Sequence, residues 1–275
     1  MAESDSAPTR FARAGGRNRF TAREATVTAV RQVTTEFVRV TVTGDEFADF
    51  PEAGPADHVR LFFPREEDGV LIAPAPVGPG QDGIVRPEEA VISRDFTPAE
   101  VRRTHAAIEV DIDFLLHEDP GPAVRWATRA AMGDRLVVVG PRGSKDAPSG
   151  ANSFVLIVDG TALPSAARWI RAAAGRETIV VVDTASGIQP ATDYLAAVGA
   201  RAGDVRQRAG TASDVDDLPI NEGTFVFAAG EAGSLISIRD GLRDRLARDQ
   251  FAVSGYWRRG VVGFDHHAPL DPEHP

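Results

Sequence analysis

The hydrophobic pattern of this 275-residue chain changes period once, near its middle, and no other feature restricts its fold so far. Ahead of the change, Ala25-Thr26-Val27-Thr28-Ala29-Val30 and Phe37-Val38-Arg39-Val40-Thr41-Val42 alternate with period two, as half-buried strands do. His58-Val59-Arg60-Leu61-Phe62-Phe63 follows and is closed by Pro64. Further strands are expected near 90–95, 107–115 and 135–139, with one helix, Pro122 to Met132, among them. Short strands parted by turn residues predict an antiparallel β-barrel. Residues 73–88, rich in proline and glycine, read as a long loop.

After residue 150 the apolar residues come in unbroken runs. Phe154–Val158, Thr178–Val182 and Thr224–Ala228 do not alternate, as strands covered on both faces require. Helices are expected at 163–174 and 233–248, and Phe251–Tyr256 closes the series. Buried strands alternating with helices make βαβ units and a parallel sheet. The expected chain is therefore a two-domain protein, an antiparallel β-barrel followed by an α/β parallel-sheet domain. The boundary falls in the polar stretch Ser144–Asn152. The expected units are a flexible basic arm at 1–23, the barrel at 24–146, the α/β domain at 152–260 and a solvated tail at 261–275. The arm carries Arg10, Arg13, Arg17, Arg19 and Arg23.

Composition narrows the chemistry. There is no cysteine, which excludes disulfides, thiolate metal sites, iron–sulfur clusters and cysteine nucleophiles. Any redox role must use an organic cofactor. The formal net charge of −10 disfavours a general nucleic-acid binder. No apolar run approaches the length of a membrane span and no signal peptide is evident, so a cytoplasmic protein without stable membrane insertion is expected. A metal site could draw only on His266-His267 and nearby acids; these stand in a Pro-rich tail, so no metal is expected. No triad or carboxylate pair stands out as a catalytic set.

Four segments could carry a ligand. In Arg94-Asp95-Phe96-Thr97 an arginine, an aromatic and a hydroxyl share a strand end, where they could meet one ligand or simply end a strand. From Asp113 to Ala127 a strand passes through Pro120-Gly121-Pro122 into a helix, which is either an anion site at free amides or a plain turn. Asp159-Gly160-Thr161 and Ala228-Ala229-Gly230-Glu231 lie at carboxyl ends of buried strands, where open α/β sheets bind ligands. Gly255-Tyr256-Trp257-Arg258-Arg259-Gly260 combines aromatic and basic groups, with Trp257 readable as a plug over the domain junction. No G-x-G-x-x-G is present.

In order and spacing these segments, with His58–Pro64 and Gly140-Pro141-Arg142-Gly143-Ser144, resemble the siderophore-interacting protein family, FAD-dependent ferric-siderophore reductases of the ferredoxin-reductase-like superfamily. The resemblance spans about residues 20–260. It implies FAD in the barrel, with Arg94, Phe96 and Thr97 against the flavin and its phosphate. His117, Gly121, Pro122, Ala123, Val124 and Trp126 would hold the pyrophosphate and adenine end. Thr161, Gly230, Glu231 and Trp257 would meet NADH or NADPH in the second domain. Arg60, Arg258 and Arg259 would border the cleft for an anionic ferric siderophore. Electrons would pass from NAD(P)H through FAD to iron(III), and iron(II) would be released. The chain departs from the family pattern at Phe96, where tyrosine is usual, at Ala99, where arginine is usual, and at Gly160, where an acid is usual. Those departures keep an alternative open, a member with weakened flavin binding that serves as a siderophore-binding or tailoring protein. A monomer is expected. Asp183, after the second buried strand and with no basic residue in sequence until Arg201, predicts preference for NADH, since an acid there repels a 2′-phosphate.

Overall fold

A computed structural model describes residues 10–105, 107–208, 215 and 217–271. The first half runs β1 (Gly15–Arg17), β2 (Ala22–Thr34), β3 (Phe37–Thr43), β4 (Val59–Phe63), β5 (Ala75–Pro76), β6 (Ile84–Val85), β7 (Ile92–Phe96), β8 (Pro98–Arg103) and β9 (Ile108–Leu115). Helix α1 (Pro122–Ala127) follows, then β10 (Arg135–Val139) and β11 (Gly143–Lys145). The second half is β12 (Ser153–Val158), α2 (Leu163–Ala172), β13 (Glu177–Asp183), α3 (Gln189–Ala197) and β14 (Asp204–Arg208), then β15 (Thr224–Glu231), α4 (Leu235–Arg245) and β16 (Phe251–Trp257).

Seven strands of the first half form one sheet in the order β7-β4-β10-β2-β3-β9-β8, every pairing antiparallel. Its two edge strands, β7 and β8, are separated in the chain by Thr97 alone, so the sheet must curl until its edges meet. The result is an open barrel. Period-two alternation turns Val27, Val40, Val42, Leu61, Phe63, Val110, Ile112, Phe114 and Val138 into one buried cluster. The second half is a five-stranded parallel sheet, ordered β14-β13-β12-β15-β16. Both its faces are covered, α2 and α3 packing on one and α4 on the other. Trp169 of α2 lies fully buried, 5.4 Å from Phe225 and 5.1 Å from Phe227.

The two halves share side chains. Phe37, at the turn between β2 and β3, joins the core of the second domain, its ring 4.2 Å from Tyr194. Arg168 of α2 donates to the carbonyls of Ala53, Gly54 (3.2 Å) and Pro98 (2.9 Å), and Arg171 donates to that of Ala99 at 2.9 Å.

Several expectations need correction. The flexible arm is, from Arg10 onward, packed: Phe11 is buried, Arg13 donates to the carbonyls of Lys145 and Asp146, and β1 pairs with β11. Phe11 and the carbonyl-bound guanidiniums of Arg13 and Arg10, the latter donating to Gly150 at 3.0 Å, hold it; residues 1–9 lie outside the described residues. The 73–88 stretch is not a bare loop. It folds into the β5–β6 pair, and Leu71, Ala73 and Ile84 cover Phe62, Val137 and Val139 on the barrel's outer face. The tail also turns back, burying Leu270. A Cβ on Gly255 would stand 2.9 Å from Leu270 and 3.2 Å from Phe264, so the glycine makes room for it. Helix α1 stops at Ala127, short of Met132, and α3 and β8 were not expected.

Candidate functional site

The strand order of the parallel sheet reverses between β12 and β15, and at such a switch point the loops diverge and leave a crevice at the carboxyl edge. A cavity of about 620 Å³ lies there. Its wall takes one residue from the end of each strand: Asp159 after β12, Asp183 from β13, Arg208 from β14, Glu231 from β15 and Trp257 from β16, with Arg259 beyond.

Asp159 ties this edge together. Its carboxylate accepts from the Thr161 amide (2.9 Å) and hydroxyl (2.6 Å), the Glu231 amide (2.9 Å) and the Trp257 indole N–H (2.8 Å). Burial pushes its carboxyl up, and these donors pull against that. Gly230 has φ of 149°, and a Cβ there would lie 2.6 Å from the Asp159 carboxyl carbon, so only glycine lets β15 approach. Glu231 in turn accepts from the amides of Ser234 (2.7 Å) and Arg259 (3.1 Å); against its partial burial, these hold its carboxyl below the ordinary range. Asp183 is not a free acid. Its Oδ2 accepts from Arg208 at 2.8 Å, because parallel register sets the ends of β13 and β14 side by side. Partial burial nevertheless leaves its carboxyl raised, Arg208 offsetting only part.

The barrel side of the junction holds the other segments. Arg94 donates to the Ser93 carbonyl at 2.7 Å, and no carboxylate among the described residues pairs with it. Phe96 is half-buried, 4.5 Å from Phe114 and 6.3 Å from Phe63, so one part of its ring belongs to the barrel core. Thr97 is buried. His117 is exposed, Gly121 caps α1, and Pro122, Ala123 and Val124 form its first turn, which carries no acidic residue. A Cβ on Gly121 would meet nothing within 4 Å, so space is open beside it, and no side chain caps the amides of this turn. Trp126 does not face that space; it is buried against Phe63 (5.2 Å) and Phe114 (6.0 Å).

One dipeptide joins the two sides. While Trp257 reaches Asp159, Tyr256, the extra residue where the β15–β16 register shifts, sets its phenol beside the hydroxyls of Thr97 and Ser165. Burial pushes that phenol up, and the two hydroxyls pull it down.

Two family matches divide the chain as the structure does. Residues 26–145 match the Siderophore-interacting FAD-binding domain, and residues 151–260 match the Siderophore-interacting protein family. The crystal structure of a siderophore utilization protein from T. fusca is 34% identical, covers 94% of this chain and 100% of its own, and superposes with a TM-score of 0.78. The chain belongs to the siderophore-interacting protein family. The ferric vibriobactin reductase of Vibrio cholerae is 28% identical over 88% of this chain and 93% of its own. The NADPH-dependent ferric-chelate reductase of Escherichia coli is 36% identical over 55% of this chain and 57% of its own.

As a member of the family the chain carries an FAD-binding domain, and its residues fit that cofactor: Arg94, which no carboxylate among the described residues pairs, and the uncapped first turn of α1 suit a phosphate. The expected siderophore arginines have separate partners. Arg60 is engaged by Asp95 through hydrogen bonds of 2.8 and 2.6 Å, Arg258 binds the Leu270 carbonyl and lies over Phe264, and Arg259 lines the strand-end crevice. Tyr256 and Arg208 were missed by sequence reading. Tyr256 had a signal, its place beside Trp257; Arg208 had none, since only sheet register brings it to Asp183.

Proposed function

We propose that this protein is a ferric-siderophore reductase that draws electrons from NAD(P)H through FAD to iron(III) in a siderophore, releasing iron(II). The observation that carries this reading is the Tyr256-Trp257 dipeptide, which sets the Arg94–Thr97 segment against the strand-end crevice, so that a flavin held by the first and a nicotinamide held by the second would meet. Arg94 and the amides of Gly121, Ala123 and Val124 would hold the flavin's phosphates, with Phe96 and Thr97 beside its ring system. Thr161, Gly230, Glu231 and Trp257 line or build the nucleotide crevice, and Asp159 keeps them in place. Bound FAD supplies the change from a two-electron donor to the one-electron steps that iron requires. The protein needs no acid or base for outer-sphere transfer to iron, and positions its partners instead. The names of the relatives from Vibrio cholerae and Escherichia coli support the same reading.

The test is anaerobic spectroscopy of the purified protein. Flavin absorbance should be present or appear on adding FAD, bleach with NADPH or NADH, and return when a ferric siderophore is added, with iron(II) trapped by a ferrous chelator. Protein that takes up no flavin, or reduced protein that a ferric siderophore does not reoxidise, would overturn the proposal.

A further inference from the structure

The tail that folds back brings three imidazoles together. His58 lies immediately before β4, while His266 and His267 lie in the C-terminal segment. Each offers a ligating nitrogen, and these nitrogens all lie within 4.8 Å of one another. The His266 ring centroid is 3.9 Å from that of His58 and 3.9 Å from that of His267. No hydrogen bond between the rings accounts for this crowding among the described residues.

His266 is the informative member. Its Nδ1 lies 2.9 Å from Asp95 Oδ2, and its Nε2 is buried without a hydrogen-bond partner among the described residues. Asp95 is itself fixed by the two hydrogen bonds from Arg60. A carboxylate behind one ring nitrogen sets the tautomer and turns the lone pair of the other outward, the arrangement that accompanies metal-ligating histidines. Half-buried His58 and exposed His267 complete the set, and the exposure of His267 leaves a path for an ion.

We propose that His58, His266 and His267 form an open three-imidazole site for a divalent first-row transition cation, oriented from behind by Asp95. Three nitrogen donors without thiolate suit iron(II), cobalt(II), nickel(II) or zinc(II) rather than magnesium or calcium. With metal–nitrogen bonds of about 2.0–2.1 Å the donors must close to about 3 Å apart, which takes a rotation of exposed His267 and a smaller one of half-buried His58 toward His266. The occupant that the reaction would deliver is iron(II), and this assignment alone rests on the reductase reading. Asp95 stands between Arg94 and Phe96, so the site adjoins the strand proposed to hold the flavin.

The experiment is an anaerobic cobalt(II) titration of the tag-free, full-length protein, followed by visible absorption, with iron(II) as competitor. Wild type should bind one cobalt(II) per chain, and iron(II) should displace it. His267→Ala, at an exposed position that cannot upset the fold, and His266→Ala should each weaken binding at least tenfold, and Asp95→Asn about tenfold. No cobalt(II) spectrum with wild type at millimolar metal would overturn the site, as would unchanged affinity in both histidine variants. Cobalt(II) binding that iron(II) cannot displace would overturn the iron assignment. Flavin bleaching by NAD(P)H, measured on the same samples, reports the reductase reading separately.

Discussion

At the scale of single residues, charge neutralisation changes what the crevice can accept. Asp183 taken as a free carboxylate predicts NADH, because a free acid repels a 2′-phosphate. Bound to Arg208, whose side chain is only 4% exposed, it no longer presents an unopposed negative charge, and Arg259 adds a cation to the same wall. The expected preference is therefore revised: kcat/KM for NADPH should equal or exceed that for NADH. Arg259→Ala should raise the KM for NADPH roughly tenfold, the worth of one hydrogen bond to a charged group, and change that for NADH little. Steady-state rates with both donors check this, and a loss equal for both would remove Arg259 from any role at the phosphate.

At the scale of elements, β3, β8 and β9 are laced by a buried ionic ladder. Arg39 grips Asp113 through bonds of 2.6 and 2.7 Å and reaches Asp111 at 3.0 Å; Asp111 also accepts from Thr41 (2.7 Å) and from Arg102. Tyr194 of α3 closes the ladder from the second domain, 2.6 Å from Asp113. Burial pushes the Asp111 carboxyl up, but its bonds from Arg102 and Thr41 and the nearby Arg39 outweigh that and hold it below its ordinary value. Its folded value being the lower one, its stabilisation is complete above the unfolded value of about 3.9 and is lost as pH falls below that. Asp111→Asn should cost about 3 kcal/mol at pH 7, since it leaves Arg39 underpaired in the interior. It should also flatten the fall in stability as pH drops from about 4 toward 2. Guanidinium midpoints across that range measure both effects; a slope equal to that of wild type would uncouple Asp111 from acid unfolding.

For the whole molecule, function depends on holding two domains at one separation. Arg168 is the main fastener, its guanidinium bonded to carbonyls of Ala53, Gly54 and Pro98, and burial with Arg171 close by pushes its pKa down to about 10. Arg168→Ala should cost about 3 kcal/mol, because buried carbonyls lose charged donors, and lower Tm by roughly 5–10 °C. Lysine should not rescue it, since the donors of a compact ammonium cannot span carbonyls met separately by Nε, Nη1 and Nη2 of a planar guanidinium. Because slight misplacement of reactants is costly, flavin reduction by the nucleotide should slow at least tenfold while flavin content is kept. Stopped-flow absorbance would show this, and an unchanged rate would mean that the junction is held by Tyr194 and Phe37 without Arg168.

The sequence by itself determined the two architectures and their order. Strand and helix periods are imposed by backbone geometry, so Val27 to Val42 and Phe154 to Val158 announce their burial without reference to the rest of the chain. It also marked the segments around Arg94, Gly121, Thr161 and Trp257 by their turns and strand ends. Tertiary structure alone decided how those residues act. Asp183 meets Arg208 through strand register, Trp126 and part of Phe96 are taken into the barrel core, and Arg60 is taken by Asp95. A charge or ring is characterised by what neutralises or covers it, and here the partners come from distant strands. The ends of the chain show this most clearly. By composition they are solvated arms, yet Phe11 and Leu270 find apolar seats, and with the second comes the meeting of His58, His266 and His267, which no local pattern could foretell.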